Sequence, residues 1–188
     1  MTSRSPPRGW PFAGPALATW LACSPAASPA VDAGAPSFSE AMADAELDPA
    51  CKPTAGAPPE VIVGEGQNDF FPLADLQTVQ VEAGPQGGHH IWMALRVKNL
   101  LRSGSRTTIT GSSPSTGIEV APFEVIFTFD PSEGGYCVLF GLRYQLDASG
   151  VDYLPLLGKE LDVTVTVADR AGDIGTGSRR VTLSSDVR

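Results

Sequence analysis

The chain holds two histidines, and they are adjacent: His89 and His90 lie in the run Gly84-Pro-Gln-Gly-Gly-His-His-Ile-Trp-Met-Ala-Leu-Arg-Val-Lys-Asn-Leu100. Any imidazole chemistry must sit here. Neighbouring residues on a strand point to opposite faces, so both rings reach one ion only if the preceding glycines bend the backbone. Two readings stand side by side. One is a copper or zinc site in which His89 and His90 are joined by oxygen ligands such as Glu65 or Asp69; the other is a structural role in which an imidazole bonds to the turn backbone. Trp92 follows on the same strand face as His90 and Arg96. With Gln86 from the turn, these residues are the candidate ligand-binding set, suited to a sugar or a protein, against the alternative that a loop or tether covers the indole.

Other chemistries find less support in the residue types. There is no Gly-x-Ser-x-Gly elbow for a nucleophilic serine. Gly64-Glu-Gly66 lacks the third glycine and the following helix of a dinucleotide loop. The acids of Asp147-Ala-Ser-Gly-Val-Asp152 and Asp169-Arg-Ala-Gly-Asp173 have spacings that could offer oxygens to calcium, yet neither is as dense as a calcium-binding hand, and Asp beside Gly is first of all turn chemistry. No catalytic residue and no cofactor are assigned; the expectation is a protein that is not an enzyme.

Of three cysteines, Cys23 lies in an N-terminal stretch and Cys51 and Cys137 remain for the rest. Residues 1–23 carry Arg4, Arg8, no acid, and an apolar run from Trp10 to Ala22, the layout of an export signal. Pro11 and Pro15 interrupt that run, and it is short for a membrane span. In an oxidising compartment Cys51 and Cys137 are expected to pair, two unrelated thiols being the alternative. Bases number 13 against 21 acids, a formal charge of −8. Loss of the segment before Cys23 would leave 11 bases against 21 acids, or −10. No basic cluster longer than Arg179-Arg180 occurs, so nucleic acid is not an expected partner.

Residues 24–59 are rich in Ala, Pro, Ser and acids and bury too little apolar area to offset the entropy of ordering, which predicts a disordered acidic tether. Ser37 and Glu40 have capping-box spacing before residues 41–47, a possible short helix. From residue 60 to 188 the pattern is alternating strands between turn clusters. Glu60–Val63 reads as an edge strand, and Val79 and Val81 point inward from 78–82, which forms a hairpin with 89–98. In the latter, Ile91, Met93, Leu95 and Val97 share the buried face. Residues 101–117 read mainly as an exposed connection, with a short strand at 107–110. Phe123, Val125, Phe127 and Phe129 share one face of the next strand, where Pro122 marks an edge or a bulge. Val138, Phe140, Leu142, Tyr144 and Leu146 share another, which puts Cys137 on the outside. Leu161, Val163, Val165 and Val167 then face inward, and 180–184 returns as their partner. The whole predicts an all-β, antiparallel immunoglobulin-like β-sandwich behind a disordered N-terminal tether.

Three resemblances attach to quoted residues. Trp20-Leu21-Ala22-Cys23 resembles the lipobox of bacterial lipoproteins, which implies lipidation of Cys23; the family usually has Leu first and a small residue second, where this chain has Trp20 and Leu21, and cleavage near Ala27 or Ala30 or an inert Cys23 are the alternatives. Val163 to Gly172 with Val181-Thr-Leu183 resembles the closing strands of bacterial immunoglobulin-like and cadherin-like extracellular modules. Gly64-Glu-Gly66, Phe71-Pro-Leu73 and Gly84 to Trp92 together resemble a pattern in uncharacterised exported bacterial proteins and lipoproteins, where a GxQGG-x-H-x-W segment leads into a strand. These likenesses imply an exported protein, in the periplasm, on the outer membrane or secreted, with a protein or polysaccharide partner at the cell envelope and contact with membrane only through a lipid anchor.

Overall fold

The computed structural model describes residues 50–188 apart from 53, 55 and 86. The expected export signal, Cys23, the helix expected at 41–47, most of the expected tether and Gln86 lie outside the described residues. The described part is all-β, with ten strands and three single turns of 3-10 helix.

The strands are β1 Glu60–Glu65, β2 Phe71–Pro72, β3 Thr78–Ala83, β4 His89–Lys98, β5 Ser105–Ser112, β6 Glu119–Phe127, β7 Asp130–Pro131, β8 Cys137–Gln145, β9 Glu160–Ala168 and β10 Ile174–Val187. They form one curled sheet in the order β2-β1-β4-β3-β10-β9-β5-β6, with β8 on the other side of β4 and β7 outside it. Strand β3 joins its two halves. Thr78, Val79 and Val81 pair with β10 in parallel, whereas Glu82 and Ala83 pair with His90 and His89 of β4. The sheet is therefore mixed, a correction to the all-antiparallel expectation, and the hairpin expected between 78–82 and 89–98 is reduced to its last two pairs. Alternation places Val79 and Val81 inside without saying which strand lies alongside.

The core follows period-2 alternation where the strands are regular. Ile91, Met93, Leu95 and Val97 of β4 and Leu161, Val163, Val165 and Val167 of β9 are all fully buried. Two halves of the sheet approach each other closely where β10 has no side chains: a Cβ at Gly177 would lie 2.4 Å from the Val61 carbonyl oxygen, and one at Gly175 would lie 2.8 Å from Val61 Cγ2. Glycine is used there for close approach of backbone to backbone.

Strand β8 departs from simple alternation. Cys137 and Leu139 face inward, then Leu142, Tyr144 and Leu146 do, while Phe140 faces out. Gly141, at φ 72°, takes up the extra residue, and the register against β4 shifts between Met93 and Leu95 at that point. This bulge reverses the face of everything before it. Cys137 is therefore buried rather than outward, and Val138 and Phe140 are not core residues. Cys51 is also fully buried and is bonded to Cys137 with Cα atoms 5.2 Å apart. The pairing is the expected one, reached from the inside of the fold.

Strand β5 is the largest addition to the sequence reading. Eight residues long, it lies between β9 and β6. Its inward positions are Ser105, Thr107, Ile109 and Gly111, and at Gly111 Tyr144 from the facing half fills the space: a Cβ there would come within 2.8 Å of Tyr144 Oη. Beyond it β6 ends the path with Pro122 on the edge strand, as expected, though Phe127 is exposed while Phe129, just past the strand, is buried.

Candidate functional site

The outward face of β4 and β8 gathers the unusual side chains. His90 follows the polar parity of β4 and faces away from the core, yet is only 3 % exposed, because Trp92 stands edge-on to it with ring centroids 4.8 Å apart. Its Nε2 is buried without a hydrogen-bond partner among the described residues. Burial pushes the His90 pKa down and the Arg143 guanidinium adds to that, against smaller opposing pulls from Glu82 and Asp147. Both effects favour the neutral imidazole. Arg143 also lies over the Trp92 ring at 5.4 Å, and the indole Nε1 donates to Glu82 Oε2 at 2.9 Å. The indole is thus held on its face by a guanidinium and at its nitrogen by a carboxylate.

His89 has the opposite parity and a separate environment. Its ring stacks on Tyr153 with centroids 3.7 Å apart and 16° between planes. Asp147 Oδ2 accepts from His89 Nδ1 at 2.9 Å and from the His89 backbone N–H at 3.0 Å, while Asp147 Oδ1 accepts from Gln145 Nε2. Burial alone would raise the Asp147 pKa, but these bonds outweigh it and hold the carboxyl below the usual carboxylate range. The two imidazoles are thus held apart, one clamped by Asp147 and Tyr153, the other tucked under Trp92. Among the described residues no group of three or more His, Cys, Asp and Glu side chains is placed to hold a metal ion.

A short strap divides the face. Gly66 donates its N–H to the Trp92 carbonyl at 3.4 Å, and its own carbonyl accepts from Gly141 N–H at 2.9 Å. Residues 66–70 consequently cross β4 and reach the bulge of β8, and Ala94 is fully buried although its parity faces it away from the core. On the far side of this strap Arg96 lies 4.8 Å from the Tyr136 ring and 5.7 Å from the Phe70 ring, with Lys98 also 4.8 Å from Tyr136. Tyr136 Oη donates to the Glu60 carboxylate at 2.9 Å, which raises the phenol pKa. Of the candidate ligand set, then, His90 and Trp92 touch each other and Arg96 belongs to a second cluster beyond the strap.

Sequence reasoning missed Glu82, Arg143, Phe71 and Phe140. Glu82 and Arg143 are placed by the pairings Glu82 with His90 and Trp92 with Arg143. Phe71 and Phe140 are 57 % and 37 % exposed, and Phe71 lies beside Trp92. A signal did exist for Phe140: the glycine after it is the usual mark of a bulge. Between the end of β1 and the end of β3 the edge of β4 opens into a cleft of about 220 Å³, walled by Trp92, Phe71, Glu65 and Glu82. Burial raises the Glu65 pKa, against a smaller lowering by the hydrogen bond from Gln77 Nε2 at 2.7 Å.

The carboxylates considered for calcium have turn roles. Asp169 is buried, and its Oδ1 accepts the backbone N–H of Ala171 and Asp173 while Oδ2 accepts that of Leu101. Asp173 is bonded by Lys52 Nζ at 2.5 Å, and Asp152 accepts the backbone N–H of Leu154.

No family model and no curated protein matches the chain. Among solved structures, the CooA pilin subunit from enterotoxigenic Escherichia coli is similar at 14% identity, covering 66% of this chain and 99% of that one, with a TM-score of 0.32.

Proposed function

We propose that the protein is an exported, non-enzymatic module of the bacterial cell envelope whose outward β4–β8 face holds a protein or polysaccharide partner. In this reading residues 1–23 direct export, Cys23 is a site of lipidation, 24–59 is a tether and the β-rich remainder is an immunoglobulin-like module. The observation that carries the binding role is the placement of Trp92, oriented by Glu82 and Arg143, beside the exposed ring of Phe71, on a face from which Phe140 also points outward. Aromatic surface left outside the core and fixed by polar neighbours favours recognition over packing. The Cys51–Cys137 bond supports export, since such bonds persist in oxidising compartments.

The test is retention by the envelope of cells that make the protein. Purified wild-type chain is expected to sediment with isolated envelope, and the Trp92→Ala, Phe140→Ser variant to stay in the supernatant while keeping its β-rich circular dichroism. Equal sedimentation of both would sink the proposal. The metal reading is examined separately, by titrating copper and zinc into the wild type and into the His89→Ala, His90→Ala variant. The separate environments of the two rings predict no stoichiometric site, and one-to-one binding lost in the double variant would replace the proposal with a metal-binding one.

A further inference from the structure

We infer that the cleft beside Trp92 is a seat for one alkylammonium group, the end of a lysine side chain presented by a protein partner. The inference rests on the reading of this face as a binding surface and names what the cleft takes.

The charged residues that line it are both acids, Glu65 from the end of β1 and Glu82 from the end of β3, and they flank the indole of Trp92 and the exposed ring of Phe71. Each carboxylate has one oxygen engaged, Glu65 Oε1 by Gln77 Nε2 and Glu82 Oε2 by Trp92 Nε1. The other oxygen of each has no hydrogen-bond partner among the described residues. Arg143, the nearest guanidinium to the indole, stacks on it without lining the cleft. Two carboxylates and two aromatic rings around a small space suit a cation on an apolar stem: the rings take the methylenes, and the charge meets the ring quadrupole and the free oxygens. The partly buried Glu65, with its pKa raised by desolvation, has bonded to an amide and not to a positive charge, so an incoming ammonium supplies what the fold leaves out. A volume of about 220 Å³ has room for such a stem and not for several sugar rings.

The test titrates the full chain with Nα-acetyl-lysine methylamide and, in parallel, with the norleucine counterpart, which keeps the stem and drops the charge. The readout is the Trp92 indole N–H resonance, assigned by its absence in Trp92→Phe. The lysine probe is expected to shift it saturably with Kd on the order of millimolar, as a single cation–aromatic contact implies. Glu82→Gln and Glu65→Gln should each weaken that binding by about fivefold or more while circular dichroism stays unchanged. Equal response to norleucine, unchanged affinity in both Gln variants, or preference for tetramethylammonium or glucose over the lysine probe would each overturn the assignment. Envelope retention that still depends on Trp92 and Phe140 while the lysine probe fails would sink this inference alone; loss of both results would sink the function with it.

Discussion

The two halves of the curled sheet resemble one another on the inside and differ on the outside. Strands β9 and β5 bury Val163, Val165, Val167 and Ile109, and strands β4 and β8 bury Met93, Leu95, Leu142 and Tyr144, so either half alone would read as one wall of a core. Outward, β9 and β5 carry Thr164, Thr166, Thr108 and Thr110, with Arg180 making a two-bond pair to Asp162. Such short polar side chains keep strand propensity and meet water, and nothing more is asked of them. The outward side of β4 and β8 carries Trp92, His90 and Arg143, held against one another, and Phe140, and it is crossed by the strap at 66–70. One half is a wall, and the other is a wall with a worked outer surface.

The contrast can be broken in four places, beginning with the largest effect. Replacing both Cys51 and Cys137 by serine opens a link across a sequence separation of 86, which should cost about 4–5 kcal/mol by the loop-entropy relation. Urea unfolding of the two proteins measures it, and a difference near zero would remove the disulfide as the anchor of the β8 half.

Glycine substitutions separate the halves next. Gly177→Ala, with its Cβ 2.4 Å from the Val61 carbonyl oxygen, should lose about 1–3 kcal/mol through overpacking and leave Trp92 fluorescence as it is. Gly141→Ala should lose a similar 1–3 kcal/mol, because alanine must hold φ near +72° and its Cβ would meet the Gln67 carbonyl oxygen at 2.9 Å. In that case the strap lifts and the indole emission moves to the red. Identical spectra for both variants would contradict the role given to the strap.

The third test uses pH. The folded-state pKa of His90 is lowered from 6.5, so the unfolded chain binds the extra proton first; its contribution is complete above about 6.5 and is lost as pH falls through the folded value. Asp147, also lowered, acts in the same direction further into acid. His90→Phe should flatten the stability slope between pH 7 and 5, which for one proton is at most about 1.4 kcal/mol per pH unit. A slope unchanged by the substitution would show that His90 is not the group being protonated. The smallest effect belongs to the plain half: Thr166→Ala should change stability by no more than about 0.5 kcal/mol and envelope retention not at all.

How much of this was legible depends on where alternation is a sufficient description. On β4 and β9 each side chain's face followed from its parity, and the buried face of both strands was readable. On β8 it failed because a single residue, Gly141, inverts the count, and the cost was Cys137, expected outside and found in the core. Strand β5 was legible only as a short strand at 107–110, because its inward residues besides Ile109 are serine, threonine and glycine, which give no hydrophobic period, Gly111 leaving room for Tyr144. The parallel pairing of β3 with β10 could not be read, because a pattern of inward and outward residues does not name a neighbour. The same holds for the candidate site. His90 and Trp92 were visible on one strand, whereas Glu82, Arg143 and Phe71 arrive from strands whose register only the folded chain sets, and Arg96 is cut off by a strap with no periodic signal.

The most direct measurement places a photo-crosslinking benzoylphenylalanine at Phe140 in one protein and at Thr166 in another, in cells that make the chain. Irradiation is expected to give a discrete adduct of higher mass from position 140, lost when Trp92 is also changed to alanine, and none from position 166. Adducts from 166 and not 140, or none from 140, would contradict the claim that the outward β4–β8 face is where this protein meets its partner.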